Sequence, residues 1–251
     1  MARRPSYRDH AVVVRTYDFG EADRIIVLLT RAHGLVRGVA KGVRRAKSRF
    51  GSRLQPFVLL DVQLYSGRNL DTITAADTLE FFGAGIIEVW ENYTSACAVL
   101  ESAEKLAVAH YGEDPTLFDA VVQALRELQE LKDSEGEQYP TLIVDRFLLQ
   151  AMAHEGWSPS LFNCAACNNP GPHRSFHPGH GGAVCGTCRP PGSPRVHPET
   201  LHLMWLLLHD SELDTVPENF PTLVAEAHQL TRSYLQWHLE RSIASLKVMD
   251  Q

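Results

Sequence analysis

Hydrophobic and polar positions change texture once along this chain. Up to about residue 76 they come in short runs of five to ten residues, cut by turn signals, which predicts five strands at 11–16, 24–29, 35–41, 56–65 and 70–76. The clearest is the fourth. Val58, Leu60, Val62 and Leu64 alternate with Leu59, Asp61, Gln63 and Tyr65, the period-two pattern of a strand with one drier face. Asp18-Phe19-Gly20 separates the first pair of strands and His33-Gly34 the second. A long Gly-containing stretch separates the third pair, and Ser66-Gly67-Arg68-Asn69 the last. Five strands in about 75 residues with a long third connection have the size and rhythm of an OB-fold barrel. Periodicity alone does not choose it over an SH3-like barrel.

After Asp77 the pattern turns to longer apolar stretches rich in Ala, Leu and Glu. Asp114-Pro115 combines an N-cap residue with Pro at the first helical position, and Phe118, Val121, Val122, Leu125, Leu128 and Leu131 then fall on one helical face. A further helix is predicted from about Thr141 to Gly156, a natural left-handed terminator. Near the carboxyl end Leu223, Ala227, Leu230 and Tyr234 repeat at helical spacing. The expected fold class is α+β: an N-terminal five-stranded barrel, OB-fold or SH3-like, over residues 1–78, then an α-helical domain over 79–251 with an inserted four-cysteine module at 163–189.

Charge sharpens this division. The whole chain of 251 residues has a formal net charge of −6, yet residues 24–60 hold nine Lys or Arg and no Asp or Glu. From Arg3 to Arg68 there are 14 basic against 5 acidic side chains, so the rest of the chain stands at −15. Such asymmetry points to a polyanionic partner, because clustered cations bind phosphates and release their counterions. The densest part, from Arg37 to Phe50, mixes cations with Gly, Ala and Ser. It lacks the acidic partners at helical spacing that a salt-bridged, solvated helix would use. Arg37, Lys41, Arg44, Arg45, Lys47, Arg49 and Arg53 are the candidate phosphate ligands, with Arg15, Arg24 and Arg31 as weaker ones. Among Tyr17, Phe19, Phe50, Phe57 and Tyr65, most are expected in the core. Phe50, set inside the cationic loop, is the expected base-stacking ring.

The longest apolar runs, such as Met204-Trp205-Leu206-Leu207-Leu208, fall far short of the roughly 20 residues a bilayer crossing needs. No hydrophobic signal region follows the basic start Met1-Ala2-Arg3-Arg4-Pro5, so the expected location is the cytoplasm, and a polyanion-binding role there would make it nucleoid-associated.

The five cysteines are unevenly placed. Cys97 stands alone and reads as an inert helical thiol, whereas Cys164-Ala165-Ala166-Cys167 and Cys185-Gly186-Thr187-Cys188 are two tight pairs separated by 17 residues. That spacing is the signature of a four-cysteine zinc site, closed to water and therefore structural, with one zinc per chain. The intervening segment is rich in Pro, Gly and Asn and has little to build a core, so metal binding would supply what packing does not. His173, His177 and His180 are the minor candidates for ligation. A zinc deaminase is excluded: His197-Pro198-Glu199 follows both cysteine pairs, and neither pair is preceded by proline. P-loop, His-Glu-x-x-His and nucleophile-elbow motifs are missing, which favours a binding protein over an enzyme.

Several stretches together resemble the bacterial recombination and DNA-repair RecO family. They are Gly20-Glu21-Ala22-Asp23-Arg24-Ile25-Ile26-Val27-Leu28-Leu29-Thr30, Gly34-Leu35-Val36-Arg37-Gly38-Val39-Ala40-Lys41-Gly42, Lys47-Ser48-Arg49 and Leu54-Gln55-Pro56-Phe57. The cysteine pairs, with Phe176 and Gly182 between them, are similar to the zinc module of many members; Asn168 stands where many have glycine. The resemblance implies an OB-fold joined to a helical domain, and binding of single- and double-stranded DNA. It also implies annealing of complementary strands, and cooperation with RecR to load RecA onto strands coated with single-strand binding protein, without nucleotide hydrolysis. It further implies that the helical domain contacts the C-terminal tail of single-strand binding protein, with Lys105, Arg126, Lys132, Arg146, Arg232, Arg241 and Lys247 as the available cations. A basic barrel with a zinc knuckle also suits an RNA-binding accessory factor of translation or transcription, and strand annealing against RNA preference separates the two.

Overall fold

The computed structural model describes residues 6–110, 112–131, 139–213, 215–239 and 243–249, which fall into two compact units, Met1–Ser134 and Glu135–Gln251. In the first unit, β1 (Ser6–Phe19), β2 (Asp23–Thr30), β3 (Gly34–Ala40), β4 (Val58–Tyr65) and β5 (Asp71–Phe81) close into a barrel in the order β1-β2-β3-β5-β4. All pairings are antiparallel except β3 with β5, which run parallel through Gly38 with Asp71 and Val39 with Thr72. This is the arrangement of an OB-fold, and it resolves the choice that periodicity left open.

The alternation read in the fourth strand delivers Val58, Leu60, Val62 and Leu64 to a core shared with Ala11, Val13, Ile26, Leu28 and Ile73. The 14-residue β1 serves two neighbours, β4 through residues 6–12 and β2 through residues 11–19. A register shift between Val13 and Arg15 lets it bend between them, as bulges do at barrel corners.

Strand gives way to helix after Phe81, with α1 (Gly83–Ile86), α2 (Trp90–His110) and α3 (Pro115–Glu130) completing the first unit. The predicted cap forms: the Asp114 side chain accepts a hydrogen bond from the Leu117 N–H at 2.9 Å, and Pro115 opens α3. Phe118, Val121, Val122, Leu125 and Leu128 are buried, as the stripe predicted. The helices also bind the barrel through charge. Arg15 pairs with Glu104 at 2.8 Å, Arg31 with Asp119 at 2.8 Å and Arg126 with Glu80 at 2.7 Å. Gly34, at φ +63°, lies so close to the Gly112 carbonyl that a Cβ would overlap it.

The second unit holds α4 (Pro140–His154), a short hairpin of β6 (Phe176–His177) and β7 (Gly182–Ala183), then α5 (Pro198–Leu208), α6 (Phe220–Leu239) and α7 (Ala244–Val248). Helix α4 stops before Gly156, whose φ of +82° closes the turn as the sequence predicts. Leu223, Ala227, Leu230 and Tyr234 line the buried face of α6. Between α4 and α6, the His228 and Asp145 side chains meet at 2.8 Å in full burial. Burial pushes the Asp145 carboxyl up and the neighbouring imidazole opposes this. The hairpin anchors through Phe176, which is fully buried and meets Tyr234 edge-on at 5.7 Å. Among the described residues, no helix is long and apolar enough to cross a membrane.

Candidate nucleic-acid interface and metal centre

The connection from β3 to β4 is a chain of turns rather than an open loop. Its start is tied to the β1–β2 turn, where the Gly42 N–H donates to Asp23 at 2.7 Å and the Arg44 N–H to the Ala22 carbonyl at 3.0 Å. Further turns close from Arg45 to Gly42, Ser48 to Arg45 and Arg53 to Phe50. Phe50 and Leu54 then plug into the barrel core. With these two apolar anchors inside, Arg53 between them and the cations that precede Phe50 are left on the outside.

All seven expected phosphate ligands are exposed: Arg37 on β3, and Lys41, Arg44, Arg45, Lys47, Arg49 and Arg53 on the connection. Among the described residues, Arg37, Lys41, Arg45 and Lys47 make no ion pair, which leaves their charge uncompensated. The others are partly engaged. Arg44 stands 3.5 Å from Asp18, Arg49 lies over the Phe50 ring at 4.8 Å, and Arg53 donates to the Arg49 carbonyl at 3.1 Å. The three weaker candidates are all paired, Arg15 and Arg31 with helix carboxylates and Arg24 with Asp18 at 2.9 Å. Arg24 and then Arg44 hold the Asp18 carboxyl below its ordinary range, so a carboxylate already occupies this corner of the surface.

The expected stacking ring is corrected by the structure. Phe50 is 1% exposed and belongs to the barrel core, because a barrel end beneath a long cationic connection needs an apolar plug. Phe57 is buried too. The exposed rings are instead Tyr17 at 44% and Phe19 at 46%, at the end of β1, with Tyr65 at the end of β4. Tyr17 and Phe19 flank Asp18 within β1, so their rings face the opposite side of the strand from the carboxylate that pairs with Arg24 and Arg44, and Tyr17 meets Arg15 there. Their position against the Asp18-Phe19-Gly20 turn was the available signal.

The four paired cysteines converge. Their sulfurs all lie within 4.8 Å of one another, all are free thiols, and Cys167 and Cys185 stand 3.8 Å apart. That is far beyond a disulfide bond and matches the edge of a tetrahedron with metal–sulfur bonds of about 2.3 Å. Each pair sits on a hydrogen-bonded turn: the Asn168 N–H donates to the Cys164 carbonyl at 2.8 Å and the Arg189 N–H to the Cys185 carbonyl at 3.0 Å. Asn168 adopts φ +59°, the left-handed conformation glycine would supply.

The electrostatics fit a cation. Burial opposes ionisation of Cys164, but N–H groups of Cys185, Cys167 and Ala166 outweigh it and bring the thiol down to about 6. The Cys188 N–H likewise lowers Cys185. Cys188 is pushed up to about 12 by hydrogen bonds with the Cys167 and Cys185 thiols, since four adjacent sulfurs cannot all carry charge unaided. A metal ion at the centre would relieve that conflict. The three histidines lie outside the set: His173 Nε2 contacts the Asn169 carbonyl at 3.0 Å, and the His177 and His180 rings face each other, tilted, at 4.9 Å.

Lys132 and Arg241, among the expected partner-binding cations, lie outside the described residues. Lys105 pairs with Glu101 at 3.0 Å, Arg126 with Glu80 and Arg146 with Asp210 at 3.4 Å.

Two family models account for nearly all of the sequence. One, recombination protein O N terminal, matches residues 1–82, and the other, recombination protein O C terminal, matches residues 87–247. With the OB-fold barrel, its exposed cations and the clustered cysteines, these matches show that the chain belongs to the RecO family of DNA-repair recombination mediators.

Proposed function

We propose that this chain mediates recombination without catalysing a reaction of its own, by holding single- and double-stranded DNA on the barrel and annealing complementary strands. The observation that carries this is the row of exposed cations on a connection whose two apolar anchors fix it to an OB-fold. Arg37, Lys41, Arg45 and Lys47 offer unpaired charge, and Arg44, Arg49 and Arg53 extend it. Two phosphate backbones repel until a cationic surface screens both, so a surface that binds backbone without reading bases suits annealing. The nucleic-acid contacts are assigned to residues 1–78 and the protein partners to residues 79–251.

In this reading the chain works with RecR to promote loading of RecA onto strands coated with single-strand binding protein. The tail of that protein, acidic and apolar, is assigned to the second unit. An apolar groove of about 730 Å³ supports this, with exposed Phe162 and Trp205 and one carboxylate, Glu199, among its lining residues. The metal is assigned as one zinc, bound by Cys164, Cys167, Cys185 and Cys188. A four-thiolate shell leaves no position for water, so the role is structural.

The test is annealing of two complementary strands by the purified full chain, with no nucleotide present, across a range of salt. Acceleration that fades as salt rises supports the reading. No acceleration, or a strong preference for RNA, favours the accessory-factor alternative.

A further inference from the structure

The second unit contains a cationic cavity that the barrel surface does not explain. Residues 156–198 contain no Asp or Glu but carry Arg174, Arg189, Arg195 and four histidines, within a protein of net charge −6. Arg174, Arg189, Arg195 and His197 converge on a cavity of about 440 Å³, floored by Ser175 and Gly186. All four side chains are exposed.

The backbone beneath them is fixed. Ser175 bridges Arg195 in antiparallel fashion, the Val196 N–H donates to the Arg174 carbonyl at 3.1 Å, and the Arg189 N–H closes the second cysteine turn. Three guanidinium groups of like charge are therefore gathered on one rigid patch. Among the described residues none of the three makes an ion pair; the carboxylates beside the site meet His197 instead, Glu226 accepting from its backbone N–H at 3.0 Å and Glu199 standing 3.9 Å from its ring. Like charges gathered without partners raise the energy of the folded state unless an anion joins them.

One internal role would be to neutralise the thiolates. Among the described residues, however, the sulfurs take their hydrogen bonds from backbone N–H groups and from one another, not from these arginines.

We propose that this cavity is a second phosphate-binding site, on the cysteine module, which holds the backbone of a DNA strand independently of the barrel connection. Arginine is suited to this because its planar fork meets phosphate oxygens two at a time. A chain with one phosphate track on the barrel and another on the module can hold two strands at once, which is what annealing requires. The inference rests on the DNA-binding reading above.

The experiment compares full-length protein with the R174Q/R189Q/R195Q variant, titrating an oligo-dT strand at several salt concentrations and measuring metal content in parallel. With three single-strand contacts removed, the log–log salt slope becomes shallower by about 2, while metal content is unchanged. An unchanged slope in a variant that keeps its metal overturns the proposal. If the triple variant loses its metal, the single variants R174Q and R189Q decide: each should flatten the slope by about 0.7, and no change in either overturns the site. Wild-type protein that shows no salt-dependent binding sinks the DNA reading itself, whereas wild-type binding with a flat response to the module variants sinks only this site.

Discussion

Phe50 shows how one residue can be assigned two opposite roles. Its neighbours in sequence, Arg49 and Ser48, are polar and outward, yet its ring is buried among Leu54, Val58 and Ile73. Removing it should therefore act on stability. Phe50→Ala is expected to cost about 3–5 kcal/mol and to lower the melting temperature sharply. Tyr17→Ala and Phe19→Ala should leave stability nearly unchanged and weaken single-strand binding by about 1–3 kcal/mol each. Melting curves and oligo-dT titrations on the three variants check this; a stable Phe50→Ala protein with weakened DNA binding would restore the ring to the surface. The sequence could not separate these cases, because an aromatic between cations reads alike whether it stacks on a base or plugs the barrel.

At the scale of elements, legibility followed contrast. The barrel strands and α3 were readable because their apolar positions alternate or recur against polar ones, and Asp114-Pro115 marks its own helix start. Helix α2, the longest, left no such trace. Its buried face includes Asn92, Thr94, Ser95, Ser102 and several alanines, so small and polar side chains pack where larger apolar ones would have marked a stripe. The Asn92 Nδ2 donates to the Leu128 carbonyl at 3.1 Å and the Thr94 hydroxyl to its own helix, contacts that only the fold reveals. The convergence of the four cysteines was legible, since metal-ligand spacing is a local signal.

Its metal should depend on pH in a defined sense. Protons and metal compete for thiolates, and Cys164 is ionised above about 6. Metal affinity is thus expected to fall as pH drops, because Cys188 must lose its proton to bind, and to fall more steeply below about 6, where Cys164 takes up a proton as well; elemental analysis after dialysis at pH 5 and pH 8 measures it. Cys164→Ser should release the metal at both pH values and loosen the module around Phe176. Metal-free wild-type protein with disulfides between the pairs would contradict the closed site. In the helical groove, Trp205→Ala should weaken binding of an acidic, apolar tail peptide about tenfold, read by titration against the full chain. Unchanged affinity removes the groove from the account.

For the whole molecule, the governing feature is the separation of charge. The first 68 residues carry the excess of cations and the rest carries the acid, and the proposed function takes this field to draw a nucleic-acid strand to the barrel and away from much of the remaining surface. The most direct test is the salt dependence of single-strand binding after charge reversal at Arg44→Glu, Arg45→Glu and Lys47→Glu together, in protein shown to be folded by its melting curve. If about four phosphates are neutralised by the barrel connection, the wild-type log–log slope is near −3. The account predicts a clearly shallower slope and weaker binding across all sequences in the variant. A folded variant with the wild-type slope and affinity would contradict it.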